Sequence, residues 1–344
     1  MIWLSWCGSC GPHKIYIYTH SRFEKADMVF GKNMNLILAL SLTGLLVAGI
    51  VFLYLPYRRD IRTAKGKLKK QETETSNTQY GRIEYATYGK GNAVLVVHGI
   101  FGGHDQGLVL AKGQIGDKFL SIVPSRFGYL GTGMPSDATP ADQADAFAAL
   151  LDDRGIDQAA IMATSAGGTS AIQFALRHPN RCSALVLVSS NAPGEVEVSL
   201  PPKPIARMMF RSDFIFWLLT AHFPSTIHSI MGIPGDFDMT PVYEMEMEDV
   251  MNTLLPVKPR SEGAFFDMYV SNPAINAYPV DEISVPTLII HAVDDPLADY
   301  NNAQTMAERI PDAKLVTMES GGHPLLGHEE RIQAEISEFL NEHK

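Results

Sequence analysis

The amino-acid sequence predicts an α/β fold: a doubly wound, mostly parallel sheet with a helical cap insertion, preceded by a transmembrane helix. Three observations carry this expectation. From residue 80 onward, short apolar runs alternate with amphipathic segments, the pattern of strands interleaved with helices. Residues 191–280 break that rhythm with a stretch rich in Pro, Met, Phe and Trp. Leu36–Leu55 is a run of twenty residues without a charge, which at about 1.5 Å per helical residue spans roughly the hydrocarbon core of a bilayer.

Taken in order, residues 1–35 form an N-terminal extension, shortened if translation starts at Met28 or Met34. Trp6-Cys7-Gly8-Ser9-Cys10 is similar to the redox frame of thioredoxins, but a low-pKa thiol needs a strand before it and a helix after it. That context is missing, so a chance match is expected. In the span 36–55, Tyr54 and then Tyr57 fall where an aromatic belt would lie. A cleaved signal peptide competes with an anchor because Val47-Ala48-Gly49 is small. The apolar run continues past those residues without an Ala-x-Ala site, which favours the anchor. The following flank is basic (Arg58, Arg59, Arg62, Lys65, Lys67, Lys69, Lys70), which is expected to place the domain after it on the cytoplasmic side; after signal cleavage that domain would instead be periplasmic or secreted. Residues 56–79 read as a basic and then polar linker, with 71–79 as a tether.

The core is expected over 80–190 and 281–344. Residues 80–89 suggest an opening strand pair. The apolar runs 93–97, 119–123, 159–164, 184–189, 286–291 and 314–318 suggest strands, most of them buried on both faces. Helical spacing appears over 140–151, 168–177, 301–310 and 329–340. In the insertion, 206–221 and 240–255 are helical patches, the composition expected of a lid.

Composition limits the partners. With 19% charged residues and a net charge of −10, the chain lacks the basic face a nucleic acid requires. Three cysteines are too few for a disulfide framework. No Cys or His pairs recur at zinc spacing, and no cofactor is expected. The glycines of 98–107 fit neither a phosphate loop nor a dinucleotide fingerprint.

The chemistry centres on Ala163-Thr164-Ser165-Ala166-Gly167-Gly168, directly after an apolar strand. A serine between residues with almost no side chain describes a sharp strand-to-helix turn that exposes its hydroxyl. Such a serine needs a base, and the base needs an acid to fix its tautomer. His323, after Gly321-Gly322 at a strand end, is the expected base; His328 reads as a surface or supporting residue. Asp294 and Asp295, just past the preceding strand, are both candidates for the acid. Backbone N–H groups of Ala166 and Ile100 would stabilise an oxyanion. Arg126 fits either a substrate carboxylate or a structural ion pair.

In their order along the chain, His98-Gly99, Arg126–Gly133, Ser165 in its turn, Asp294-Asp295-Pro296 and Gly321-Gly322-His323 resemble the α/β-hydrolase superfamily, in its serine-nucleophile branch, over residues 80–342. The resemblance implies Ser165, Asp295 and His323 as the triad, with Asp295 three residues after Ala292. The family pattern carries Gly where this chain has Ala163 and Ala292. It implies a serine hydrolase that cleaves a carboxylic ester or related acyl compound through an acyl-enzyme, and the apolar insertion and the anchor together suggest that the substrate is apolar or lipid-like. The alternatives are a C–C bond hydrolase of dienone type on the same triad and a non-catalytic binding protein of the same fold.

Overall fold

The computed structural model describes residues 20–194 and 200–343; the expectations on Cys7, Cys10 and the residues before His20 lie outside that range. Contacts divide the chain into two units, one up to Arg58 and one from Arg59 onward.

In the first unit the apolar run is helical, as part of helix α1 (His20–Lys69). Its most apolar window has mean hydropathy 2.7 and is exposed along its whole length. Leu42, Leu45, Leu46 and Phe52 each present more than half their surface. Among the described residues of this unit, nothing covers the helix.

In the second unit α1 continues through the basic residues to Lys69, so the expected linker 56–79 is corrected. Lys and Arg are good helix formers and extend the helix, and the polar residues beyond it form strand β1 (Glu74–Thr78). An edge strand needs only one covered face, and only Ser76 is buried. This strand pairs antiparallel with β2 (Gly81–Tyr88), so the opening pair begins earlier than expected.

Six further strands complete one sheet: β3 (Ala93–Val97), β4 (Leu120–Pro124), β5 (Ala159–Thr164), β6 (Cys182–Val188), β7 (Thr287–Ala292) and β8 (Ala313–Met318). Their order is β1-β2-β4-β3-β5-β6-β7-β8, antiparallel only at β1–β2 and β2–β4. The central strands are buried almost without interruption, as strands covered on both faces must be.

Helices cover both faces. After α2 (His104–Leu110), α3 (Pro140–Asp153) starts at a capping box in which Thr139 and Asp142 exchange hydrogen bonds, worth about 1 kcal/mol. Its Phe147 and Leu150 share one core layer with Phe174 of α4 (Gly168–Arg177). Between β6 and β7 lie α5 (Lys203–Phe210), α6 (Asp213–His222), α7 (Pro224–Ile230), α8 (Pro241–Leu254), α9 (Ser261–Phe266) and the single turn α10 (Asn272–Ala274). The expected helix over 206–221 is two, because Ser212 starts α6 by accepting the N–H of Ile215. Helix α11 (Tyr300–Arg309) adds Ala303 and Met306 to the first layer. On the opposite face, Ile332, Ile336 and Phe339 of α12 (Glu329–Glu342) pack with Ala111 and Ile115, in the π turn after α2.

Candidate active site

The site assembles where the parallel strands end. Strand β5 stops at Thr164, and Ser165 adopts φ 51°, a left-handed conformation that costs a residue with a side chain. Close packing enforces the turn. A Cβ on Gly167 would lie 2.6 Å from the His98 carbonyl oxygen, and one on Gly168 would overlap Ser190 Oγ. Ala163 is fully buried within β5 and is not among the positive-φ residues, so its methyl group causes no backbone strain.

The loop after β3 comes close to this turn: a Cβ on Gly99 would sit 3.2 Å from Ser165 Cβ. Ile100 follows it, and Ala166 is the second residue of the 3-10 turn Ser165–Gly167. The leading N–H groups of such a turn have no partner within it. Helix α2 starts at His104, inside the glycine-rich stretch 98–107.

His323 Nδ1 lies 2.7 Å from Asp295 Oδ2. The other oxygen, Oδ1, accepts the N–H groups of Leu297 and Ala298, and His291 Nε2 approaches Oδ2 to 3.2 Å. Burial alone would push the Asp295 carboxyl up, but the hydrogen bonds from His291 and His323 outweigh it and hold it well below the usual range. Asp294 faces elsewhere and accepts the N–H groups of Gly321 and Gly322 at 3.2 and 2.9 Å. Both glycines have positive φ. His323 N–H donates to Gly232 O at 2.8 Å, which ties the histidine loop to the insertion. No hydrogen bond joins the Ser165 hydroxyl to His323; unliganded sites commonly leave this contact loose. His328 contacts Ser320 O, away from the group.

The chain matches the alpha/beta hydrolase fold over residues 92–329. It belongs to that family. The hydrolase is 28% identical over 269 residues to the uncharacterized hydrolase YcgS of Bacillus subtilis, covering 74% of this chain and 92% of the relative. A solved alpha/beta hydrolase from Nakamurella multipartita superposes with TM-score 0.61 at 27% identity, covering 78% of this chain and 99% of that one. A bacterial membrane phospholipase A superposes with TM-score 0.57 at 18% identity, covering 90% and 98%. That last match reaches into the N-terminal helix.

Two buried Arg–Asp pairs in the hydrolase connect core loops to the insertion. Arg126 meets both oxygens of Asp267 at 2.6 and 2.5 Å, and Tyr129 also donates to Asp267. Arg126 is therefore occupied by the protein itself, as the ion-pair alternative expects. Arg260 pairs with both oxygens of Asp105 and donates to Gly102 O. Neither Asp267 nor Asp105 was legible as a partner, because each lies more than a hundred residues from its arginine.

A cavity of about 730 Å³ in the second unit is lined by Trp217, Met247, Met251 and Leu255, with Arg59 and Lys67 among its polar walls. Ser165, Asp295 and His323 do not line it. Met251 and Leu255 also pack against the apolar cluster that includes Ile100 and Phe101.

Proposed function

We propose that this α/β hydrolase is a serine esterase acting on carboxylic esters or related acyl compounds with an apolar acyl group. The observation that carries the proposal is the 2.7 Å pairing of His323 Nδ1 with the Asp295 carboxylate, in a site whose Ser165 occupies a strained strand-to-helix turn. With Nδ1–H directed to Asp295, Nε2 of His323 is left unprotonated and serves as the base.

His323 takes the Ser165 proton as Oγ adds to the substrate carbonyl carbon. The N–H groups of Ile100 and Ala166 receive the developing oxyanion. The C–O bond then breaks, and the proton on His323 passes to the leaving alcohol. Water, deprotonated by the same histidine, attacks the acyl-enzyme and frees the acid and Ser165. Asp295 keeps its charge throughout and stabilises the imidazolium.

The insertion over residues 191–280 acts as the lid. Its methionine-rich composition supports an apolar or lipid-like acyl group, since methionine adapts to flexible chains. The exposed helix over 36–55 supports a membrane anchor, and the basic flank after it supports a cytoplasmic catalytic domain. A panel of nitrophenyl esters of rising chain length tests the substrate class. Rates should rise from acetyl to medium-chain esters and vanish in Ser165→Ala. A preference for acetyl esters would contradict the apolar acyl site.

A further inference from the structure

Three donors converge on one carbonyl beside Ser165. Gly99 O accepts His98 Nδ1 at 2.7 Å, Arg126 Nη2 at 3.1 Å and the N–H of Gly102 at 3.3 Å. The proton on His98 is placed by its other nitrogen, since Nε2 accepts the N–H of Arg126 at 3.0 Å. Burial and the neighbouring Arg126 push His98 well below its ordinary value, so it stays neutral and Nδ1 is the donor. The same guanidinium is held by Asp267, a fully buried residue of the insertion.

The carbonyl of Gly99 and the N–H of Ile100 belong to one peptide unit. That unit is planar and trans, so its C=O and N–H point in opposite directions. Fixing the oxygen fixes the N–H. We propose that Arg126 is a positioning residue for the oxyanion hole: oriented by Asp267, its guanidinium locks the Gly99–Ile100 peptide so that Ile100 N–H faces the Ser165 reaction centre. The proposal rests on the reading of Ser165 as nucleophile and of Ile100 N–H as oxyanion donor.

Two physical effects follow. A charge-assisted bond on the carbonyl polarises the amide and strengthens its N–H as a donor. It also opposes a peptide flip, which would turn a carbonyl oxygen toward the developing negative charge. Because Asp267 sits in the π turn Asp267–Ser271 of the insertion, the hole is braced from both the sheet loops and the insertion.

An alkyl trifluoromethyl ketone tests this, because Ser165 Oγ adds to its carbonyl, the proton passes to His323, and the resulting oxyanion occupies the hole. The matching trifluoromethyl carbinol cannot form that adduct and reports ground-state binding alone. The double variant Arg126→Met with Asp267→Leu removes both buried charges together, which folded proteins commonly tolerate. Arg126→Lys, which keeps a charge beside Asp267 but loses the planar fork, is the second variant. Expected are a kcat loss of about tenfold or more, the magnitude of a weakened oxyanion donor, with KM little changed. The inhibition constant of the ketone should rise by the same factor while that of the carbinol stays constant. A folded variant with wild-type kcat and a wild-type ketone-to-carbinol ratio would overturn the positioning role and leave only a structural ion pair. A wild-type protein that binds the two compounds equally would instead overturn the serine-esterase reading itself.

Discussion

Asp294 accepts the N–H of Gly322 at 2.9 Å, and the next residue in the chain is His323. Two adjacent aspartates therefore divide the work. Asp294 fixes the backbone that presents the histidine, and Asp295 fixes the ring. The first sets position, the second the tautomer.

That division predicts unequal losses. Asp295→Asn replaces an acceptor with an amide that can hold the wrong tautomer, and kcat should fall by about 10⁴-fold. Asp294→Ala releases two N–H groups of a left-handed loop but leaves the ring partnered, so kcat should fall by about 10- to 100-fold. Steady-state kinetics on one ester checks both. Equal losses would mean that the two carboxylates share one role.

Adjacent carboxylates also mark the limit of what sequence can resolve. Pattern alone places both at the end of β7, and the local turn decides which faces His323. The tight turns at Ser165 and just before His323 were legible because glycines at fixed offsets record such turns directly. The buried strands β3, β5 and β7 were legible because burial on both faces demands continuous apolar runs. The edge strand β1 was not, since its Glu-Thr-Ser-Asn-Thr run covers a single buried residue and matches a tether in composition. Helix α2 was hidden by Gly107, which reads as a loop residue. A Cβ there would lie 2.2 Å from Val123, so the glycine serves helix-on-sheet contact.

Gly232 is a second such case, with an effect on the proposed chemistry. It adopts φ +72°, a Cβ on it would lie 2.5 Å from His323 Cβ, and its carbonyl accepts the His323 N–H. Gly232→Ala should therefore displace the histidine loop and lower kcat by about 10- to 100-fold, with a stability loss of about 1–3 kcal/mol. Kinetics alongside thermal melting checks this. Wild-type kcat in the alanine variant would show that the insertion does not set the position of His323.

Stability should depend on acid through Asp295. Its folded pKa is depressed, so the contribution is complete above the unfolded value, about 3.9, and is lost as pH falls from there toward the folded value. In Asp295→Asn that contribution is absent at every pH. The melting temperature of the wild type should therefore fall more steeply than that of the variant between about pH 5 and pH 2. Parallel curves would mean that the carboxylate is not held charged by its donors.

The nucleophile is the centre of the account, and active-site labelling tests it most directly. A fluorophosphonate loses fluoride as the activated serine oxygen attacks phosphorus, leaving a stable covalent adduct. Incubation of the full chain, followed by peptide mass spectrometry, should place that adduct on Ser165, with none in Ser165→Ala and strongly slowed labelling in His323→Ala. An unlabelled Ser165 in a protein that still hydrolyses esters would contradict the account.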